Sequence, residues 1–222
     1  MILAKKPSVT IRVVRADGGA ENIYPLQTDV LLCGRASELS LPDDPFIADV
    51  QVRFFFSGGR LAIEDIGGGN GVFIRLRQER EISPGSEIRV GRQRLLVEAI
   101  PTLSPSPDGT TAWGSPDIGY RFRLVQILEG GIRGAVFPLK IGDNSLGREV
   151  GDIYFINDGF ISGKHAVISA STEKLTIRDV GSSNGTFLRL TIPSFVENGD
   201  QFLLGRQLMR VDIQDPNGSL LN

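Results

Sequence analysis

Short runs in which apolar and polar residues alternate make up most of the chain. Residues 174–178, for example, have the sequence Lys-Leu-Thr-Ile-Arg, and similar alternation occurs in residues 8–15, 60–65 and 94–99. A period of two is typical of β-strands with one buried and one solvated face. Glycine, proline, asparagine and aspartate interrupt the runs at short intervals, and no amphipathic helical pattern of useful length lies between them. The pattern predicts an all-β chain.

The first half of the sequence is a divergent copy of the second half. The offset between the copies is 113 residues at Arg35 and 114 residues at the later landmarks. A chain of 222 residues is long enough for two domains of about 100 residues each. We therefore predict two tandem antiparallel β-sandwich domains, residues 1–100 and 118–222, joined by residues 101–117. The corresponding landmarks are Gly34-Arg35 with Gly147-Arg148, Asp65–Phe73 with Asp179–Phe187, and Gly91-Arg92 with Gly205-Arg206.

The segment between the copies, residues 101–117, has the composition of a linker. It is rich in proline, serine, threonine and glycine and has little apolar surface to bury. We expect its one aromatic residue, Trp113, to pack the linker onto a sandwich. The segment also contains Thr102, Thr110 and Thr111. One hypothesis is that a kinase phosphorylates one of these threonines, which then binds the second domain of the same or another molecule.

Three short motifs follow one another in the second copy, and each alone would be an ordinary turn. Together, in this order and at these separations, they resemble the forkhead-associated (FHA) domain, a phosphopeptide-binding β-sandwich. The motifs are Leu146-Gly147-Arg148, Ile161-Ser162-Gly163-Lys164-His165-Ala166 and Asp179-Val180-Gly181-Ser182-Ser183-Asn184-Gly185-Thr186-Phe187.

The resemblance implies that this set of residues binds phosphothreonine. A phosphothreonine carries roughly −1.5 to −2 charges and three strong acceptor oxygens, and an arginine fork with small hydroxyls matches those needs. Phosphothreonine is preferred over phosphoserine in the family. The implied phosphopeptide-binding residues are Arg148, Ser162 and Ser183 on the phosphate, Gly163 and Lys164 in the same loop, and Asn184 on the peptide backbone. Gly147, His165 and Gly185 are implied to shape the site. We expect residues that select the peptide beyond the phosphate in the loop Glu149–Asp158 and after Phe187.

The first copy keeps the arginine of the pattern, Arg35, but departs from it elsewhere. Two hydroxyls are lost and Asp49 adds a negative charge where a phosphate would lie, and like charges oppose binding. We therefore predict that the first copy binds phosphothreonine weakly or not at all. The replacements are Ala48 for Ser162, Asp49 for Gly163, Val50 for Lys164, Gln51 for His165 and Gly69 for Ser183.

Two roles for the first copy remain open from the sequence. It presents a phosphate-independent surface for a protein partner or a dimer, or it only supports the second domain. Several apolar residues lie near the end of the copy that corresponds to the site, so an exposed patch is one expectation and core packing the other. These residues are Leu39, Leu41, Phe46, Phe54, Phe55 and Phe56.

Composition and charge exclude several other classes of function. The net charge is −2 and no basic stripe is present, which argues against nucleic acid and membrane partners. One histidine and one cysteine, Cys33, cannot form a metal site, so no metal or cofactor is expected. The glycine-rich segment Ile66–Gly71 lacks the lysine of a phosphate-binding loop. We expect Cys33 to be a buried small residue.

The sequence thus predicts a non-catalytic adaptor and not an enzyme. Its second domain would bind a phosphothreonine-containing partner that is the product of an upstream serine/threonine kinase. No apolar run of signal-peptide length follows Met1–Pro7, so we expect a cytoplasmic protein. The alternative is a phosphate-independent structural or protein-interaction scaffold made of two such sandwiches.

Overall fold

The computed structural model describes residues 7–14, 21–101, 106–116 and 118–214. Within them lie twenty β-strands and one short 3-10 turn, Glu129–Gly131, so the all-β prediction is confirmed. The first repeat supplies β1 (Ser8–Val14), β2 (Asn22–Pro25), β3 (Val30–Gly34), β4 (Leu39–Ser40), β5 (Val52–Ser57), β6 (Arg60–Asp65), β7 (Val72–Arg75), β8 (Arg80–Ile82), β9 (Glu87–Val90) and β10 (Gln93–Ala99). The second repeat supplies β11 (Phe122–Ile127), β12 (Arg133–Leu139), β13 (Gly142–Gly147), β14 (Ile153–Tyr154), β15 (Ala166–Ala170), β16 (Leu175–Asp179), β17 (Thr186–Arg189), β18 (Ser194–Phe195), β19 (Gln201–Leu204) and β20 (Gln207–Gln214).

The strands form two compact units, and each unit combines strands of both repeats. The first unit contains the described residues up to Arg75 and those from Arg189 onward, and the second contains Leu76–Leu188. In the first unit, one sheet has the order β7-β19-β20-β1-β2 and the other has the order β18-β6-β5-β3-β4. In the second unit the orders are β17-β9-β10-β11-β12 and β8-β16-β15-β13-β14. The last three strands of each repeat are therefore exchanged.

Strand pairing in the two units follows the same plan. In both units the pairing is antiparallel, apart from β3 with β4 and β13 with β14, which are parallel. Val9 lies opposite Ile213 on β1 and β20, and Val97 lies opposite Leu124 on β10 and β11. The exchanged strand thus occupies an equivalent place in each sandwich. Because apolar and polar residues alternate along each strand, this pairing buries the apolar face of the strand.

Each unit has its own apolar core. Phe54 and Phe202 pack in the first unit with ring centroids 5.5 Å apart, and Leu124 and Ile168 are fully buried in the second. Leu76, directly after β7, belongs to the second core, whereas Leu190, directly after β17, belongs to the first. Burial of these two leucines marks the points where the chain leaves one unit for the other.

The predicted boundaries of residues 1–100, 101–117 and 118–222 describe the repeat in the sequence, and the compact units differ from them. The exchange could not be predicted because the exchanged segments have the same sequence at the turn that contacts the partner loop, Gly91-Arg92-Gln93 and Gly205-Arg206-Gln207. Arg92 N donates to Asp158 Oδ2 at 2.8 Å, and Arg206 N donates to Asp44 Oδ2 at 2.7 Å. Sequence alone does not distinguish the two arrangements.

The apolar residues of the first repeat are mostly core residues. Phe55 is half-buried, with the Arg53 guanidinium 4.8 Å from its ring centroid. Phe56 packs against the core, so the Phe54–Phe56 run does not form an exposed patch. Cys33 is fully buried, as predicted, and burial raises the pKa of its thiol to about 12.

The linker differs from its prediction at Trp113, whose expected packing onto a sandwich is wrong. Trp113 is 99% exposed. The described part of the linker has its own turn, in which Ser106 N donates to Thr110 O and Thr110 N donates to Asp108 Oδ1, both at 2.9 Å. This turn satisfies some of the linker's backbone groups locally. The described residues include no helix with the length and apolar character needed to cross a membrane.

Candidate functional site

The first motif places Arg148 at the end of β13, where two backbone segments meet. A Cβ atom on Gly147 would lie 2.1 Å from Gly163 O and 2.6 Å from Val150 O. Only glycine permits this approach. Arg148 N donates to Ser162 O at 3.0 Å, which brings the first and second motifs together.

The loop after Arg148 is fixed by the carboxylate of Asp152. It accepts hydrogen bonds from Ser145 N at 2.9 Å and Ser145 Oγ at 2.8 Å, and it pairs with Lys140. The Lys140 contact, followed by the Ser145 hydrogen bonds, lowers the pKa of Asp152 to about 2. The carboxylate is therefore charged at neutral pH and holds the base of the loop that carries Arg148.

His165 joins the second and third motifs from a fully buried position. Its Nδ1 accepts a hydrogen bond from Ser162 N at 3.1 Å, and its Nε2 lies 3.0 Å from Gly185 O. Because Ser162 N can only donate and Gly185 O can only accept, the neutral ring carries its proton on Nε2. His165 thus occupies a position that orients both loops.

Asp179 organises the third motif. Its carboxylate accepts hydrogen bonds from Gly181 N at 2.9 Å, Ser182 N at 2.8 Å, Ser182 Oγ at 2.6 Å and Thr186 Oγ1 at 2.7 Å. Partial burial alone would raise the pKa of Asp179, but the hydrogen bonds from Ser182, Thr186 and Gly181 outweigh burial and lower it. The charged carboxylate therefore sets the shape of the turn that presents Ser183 and Asn184.

The structure brings the two phosphate-binding serines of the prediction into contact. Ser183 N donates to Ser162 Oγ at 3.1 Å. Neither hydroxyl donates its proton to any part of the chain that the structure describes. Asn184 lies beside them, and its Nδ2 donates to Phe160 O at 2.8 Å. Its amide is thus oriented by the second loop, at the point where the resemblance places a peptide backbone.

Two cationic side chains, Arg148 and Lys164, lie on the loops of the site. Arg148 Nε donates to Glu149 Oε1 at 2.9 Å, and the side chains are 38% and 57% exposed. An ion pair this exposed contributes about 0–1 kcal/mol. Lys164 makes no hydrogen bond or ion pair with any described residue. Arg148, Lys164 and the Ser162 and Ser183 hydroxyls therefore have donors available for an anion.

One residue next to this cluster was missed by the sequence analysis. Arg92, from the first repeat, lies with its guanidinium carbon 4.7 Å from the centroid of the Phe160 ring. The available signal was the repeated Gly-Arg-Gln turn at residues 91–93 and 205–207, but its place in the fold follows only from the strand exchange.

The first unit has the same loops with different chemistry. Arg35 Nη2 donates to Asp49 Oδ1 at 2.9 Å, so a carboxylate of the chain itself pairs with the equivalent arginine. The buried Gln51 replaces the histidine: its Oε1 accepts from Ala48 N at 3.1 Å and its Nε2 donates to Gly68 O at 2.8 Å. The scaffold is therefore conserved between the units while the anion-binding groups are not.

Comparison with known proteins agrees with this geometry. The family model described as FHA domain matches residues 31–91 and 144–205, together more than half of the chain. The chain therefore belongs to the FHA domain family, whose members are generally non-catalytic phosphopeptide-binding modules. The resemblance inferred from the motifs is confirmed.

Among solved structures, 12 chains match. One is the crystal structure of the FHA domain of CT664 protein from Chlamydia trachomatis, with 29% sequence identity, coverage of 35% of this chain and 84% of that chain, and a TM-score of 0.22. No match to a curated protein was found. In the described part of the chain, no group of three or more His, Cys, Asp or Glu residues is arranged to hold a metal ion.

Proposed function

We propose that the second unit is a phosphothreonine-peptide-binding module and that the chain acts as a non-catalytic adaptor. The observation that carries this proposal is the cluster of available donors at one end of the unit. Among the described residues, the Arg148 side chain pairs only with the exposed Glu149, and the hydrogen bond from Ser183 N to Ser162 Oγ brings the two serines together. A phosphate group with three acceptor oxygens can use all of them.

Phosphate binding at this site needs little reorganisation. The loops are already fixed by His165, Asp152 and Asp179, and a dianionic phosphate competes well against one exposed carboxylate. Hydrogen bonds to a charged group contribute about 1.5–3 kcal/mol each. Arg148, Ser162, Ser183 and Lys164 are therefore proposed to bind the phosphate, with Asn184 on the peptide backbone and Gly163 leaving room for it.

The first unit is proposed to have no phosphothreonine site. Asp49 occupies the position next to Arg35 that an incoming phosphate would need, and Ala48 and Gly69 have no hydroxyl to offer. The proposed role of this unit is either structural or a phosphate-independent contact with a protein. The two roles stay open alternatives for the first unit.

The biological setting stays a prediction from the sequence. A phosphothreonine ligand requires an upstream serine/threonine kinase, and a cytoplasmic location is the expectation. The chain's own linker remains a candidate ligand: Thr110 and Thr111 are exposed, as a kinase substrate requires, whereas Thr102 lies outside the described residues.

The test is direct binding of a degenerate phosphothreonine peptide library to the full chain, with phosphoserine and unphosphorylated libraries as controls. We expect binding that depends on phosphothreonine and falls at least tenfold in Arg148→Ala, because the variant loses a charged hydrogen-bonding group worth about 1.5–3 kcal/mol. Arg35→Ala is the matched control and should bind as the unmodified chain does. A folded protein with no phosphate-dependent binding would leave the phosphate-independent scaffold as the function.

A further inference from the structure

The turn at Arg92 is built into the second unit by several close contacts. Asp158 is 4% exposed, and its Oδ2 accepts from Arg92 N at 2.8 Å and from Gln93 Nε2 at 2.7 Å. Gly91 has a φ of +54°, and a Cβ there would lie 2.6 Å from Ile161 Cγ1. The first repeat's turn therefore fits tightly against the loop that leads into the second motif.

These contacts place the Arg92 side chain beside the candidate peptide path. Its guanidinium stacks on Phe160 at 4.7 Å, and the carbonyl oxygen of the same phenylalanine accepts the hydrogen bond from Asn184 Nδ2 at 2.8 Å. Arg92 and Asn184 thus contact the same residue. Because Asn184 is the proposed contact for the peptide main chain, Arg92 lies within reach of side chains close to the phosphothreonine.

The Arg92 guanidinium has unused binding capacity. Arg92 is exposed, and within the described part of the chain its guanidinium has no hydrogen-bond or ion-pair partner besides the stacking contact. Stacking fixes the plane of the group while its N–H donors still point to solvent. A fixed guanidinium fork is suited to a carboxylate, with two parallel hydrogen bonds.

We propose that Arg92 is a specificity-determining residue of the second unit's peptide site and selects an Asp or Glu near the phosphothreonine. The inference rests on the proposed function, since it names which phosphopeptides that site prefers. Its distinctive feature is that the selecting residue comes from the first repeat, while Arg148, Ser162 and Ser183 come from the second. The site then requires segments of both repeats.

The chain contains a matched control for this residue. Arg206 has the same surroundings in the first unit, where its guanidinium carbon lies 4.4 Å from the Phe46 ring centroid and its N donates to Asp44 Oδ2 at 2.7 Å. The proposal gives Arg206 no part in binding phosphothreonine peptides. If the strands were not exchanged, Arg206 would take the place of Arg92 in the second repeat's sandwich.

The experiment compares phosphothreonine peptides that carry Asp or Glu near the phosphothreonine with peptides that carry Asn or Gln at the same position. Each position on both sides is varied in turn, and affinity is measured for the full-length chain. We expect a preference of about three- to tenfold for an acidic residue at one position. Arg92→Ala should lose this preference and bind the amide peptides within about twofold of the unmodified chain, whereas Arg206→Ala should keep the preference.

The outcomes separate this proposal from the proposed function. Arg148→Ala should lose binding to acidic and amide peptides alike. Phosphate-dependent binding without an acidic preference, or a preference that Arg92→Ala retains, overturns the role of Arg92 and leaves the phosphothreonine site intact. If Arg206→Ala instead loses the preference for an acidic residue, the assignment of the Arg92 turn to the second unit is overturned. No phosphate-dependent binding overturns both proposals. Circular dichroism and the thermal midpoint show whether each variant is folded.

Discussion

Gly163 and Asp49 stand at equivalent positions, and only Asp49 adds a negative charge at that point of the loop. In the first unit, the Asp49 carboxylate pairs with Arg35 at 2.9 Å. In the second, Gly163 contributes no charge, and within the described ranges the exposed Glu149 is the side-chain partner of Arg148. A Cβ on Gly163 would meet no atom within 4 Å, and its φ lies outside the left-handed region. The backbone therefore does not require glycine here, and what Gly163 gives the proposed phosphate site is the absence of a negative charge.

We predict that Gly163→Asp weakens phosphothreonine-peptide binding about tenfold or more, which corresponds to at least about 1.4 kcal/mol. The new carboxylate pairs with Arg148 and repels the phosphate. Gly163→Asn is the control, because it adds nearly the same shape without the charge. Isothermal titration of both variants measures the difference, and equal affinities for the two would contradict the electrostatic explanation. The thermal midpoint should change little in either.

His165 and Gln51 show that one structural task can be done by two side chains. Both are buried and both connect the second motif's loop with the third. The resemblance implied that His165 shapes the site, but the bonds of Gln51 could not be predicted. An amide can point either of its ends toward a given loop, and only the positions of the surrounding N–H and C=O groups decide which.

At the scale of an element, the turn between β16 and β17 depends on one carboxylate. Asp179 accepts four hydrogen bonds from three residues of the turn, and these lower its pKa from the ordinary value of 3.8. A carboxylate with a lowered pKa in the folded state stabilises that state fully above the unfolded pKa. The contribution is lost as the pH falls through the lower, folded pKa.

We therefore predict that Asp179→Asn reduces the free energy of unfolding at pH 7 and that the deficit shrinks below about pH 4. The asparagine amide cannot accept all four hydrogen bonds, whereas at low pH the native carboxyl is also neutral. Denaturant unfolding of both proteins at several pH values gives the difference. A deficit that is constant down to pH 2 would show that packing, and not charge, is responsible.

At the scale of the whole molecule, the exchange of β8–β10 with β18–β20 is the main architectural feature. The linker then joins β10 to β11, which pair directly with each other, so Leu76–Leu188 forms one unit from a continuous segment. The repeats have equivalent contacts at the exchanged turns. Local chemistry is thus nearly the same in both arrangements, and the assignment of strands is a property of the whole chain.

Paired cysteines test the exchange. Glu98 lies opposite Arg123, and Thr10 lies opposite Asp212, at the close cross-strand separation that a disulfide bridges. We predict that Glu98→Cys/Arg123→Cys forms a disulfide under mild oxidation, identified by mass spectrometry of proteolytic fragments. Cys33 does not interfere, because burial raises the pKa of its thiol to about 12.

The control variant is Glu98→Cys/Thr10→Cys, which would be opposite residues if each repeat kept its own last strands. We expect no bridge in this variant, because Thr10 and Glu98 belong to different units. Thr10→Cys/Asp212→Cys is the positive control in the first unit. A bridge between positions 98 and 10, with none between 98 and 123, would rule out the exchange.

The sequence by itself determined the strand content, the repeat, the family and the set of residues in the second copy's motifs. These features depend on period-2 alternation and on residue types at fixed spacing, which are local properties of the chain. The pairing of Arg35 with Asp49 could be anticipated only as a nearby negative charge, since its geometry depends on loops that lie 14 residues apart.

Only the tertiary structure decided which strands complete each sandwich and therefore that Arg92 lies beside Phe160 and Asn184. Gly91-Arg92-Gln93 and Gly205-Arg206-Gln207 are identical in sequence, so local preference cannot assign either turn to a unit. The tertiary structure also decided the exposure of Trp113, which was expected to pack onto a sandwich but is 99% exposed. Contacts between residues far apart in sequence make these choices, because identical local segments have equal local energies.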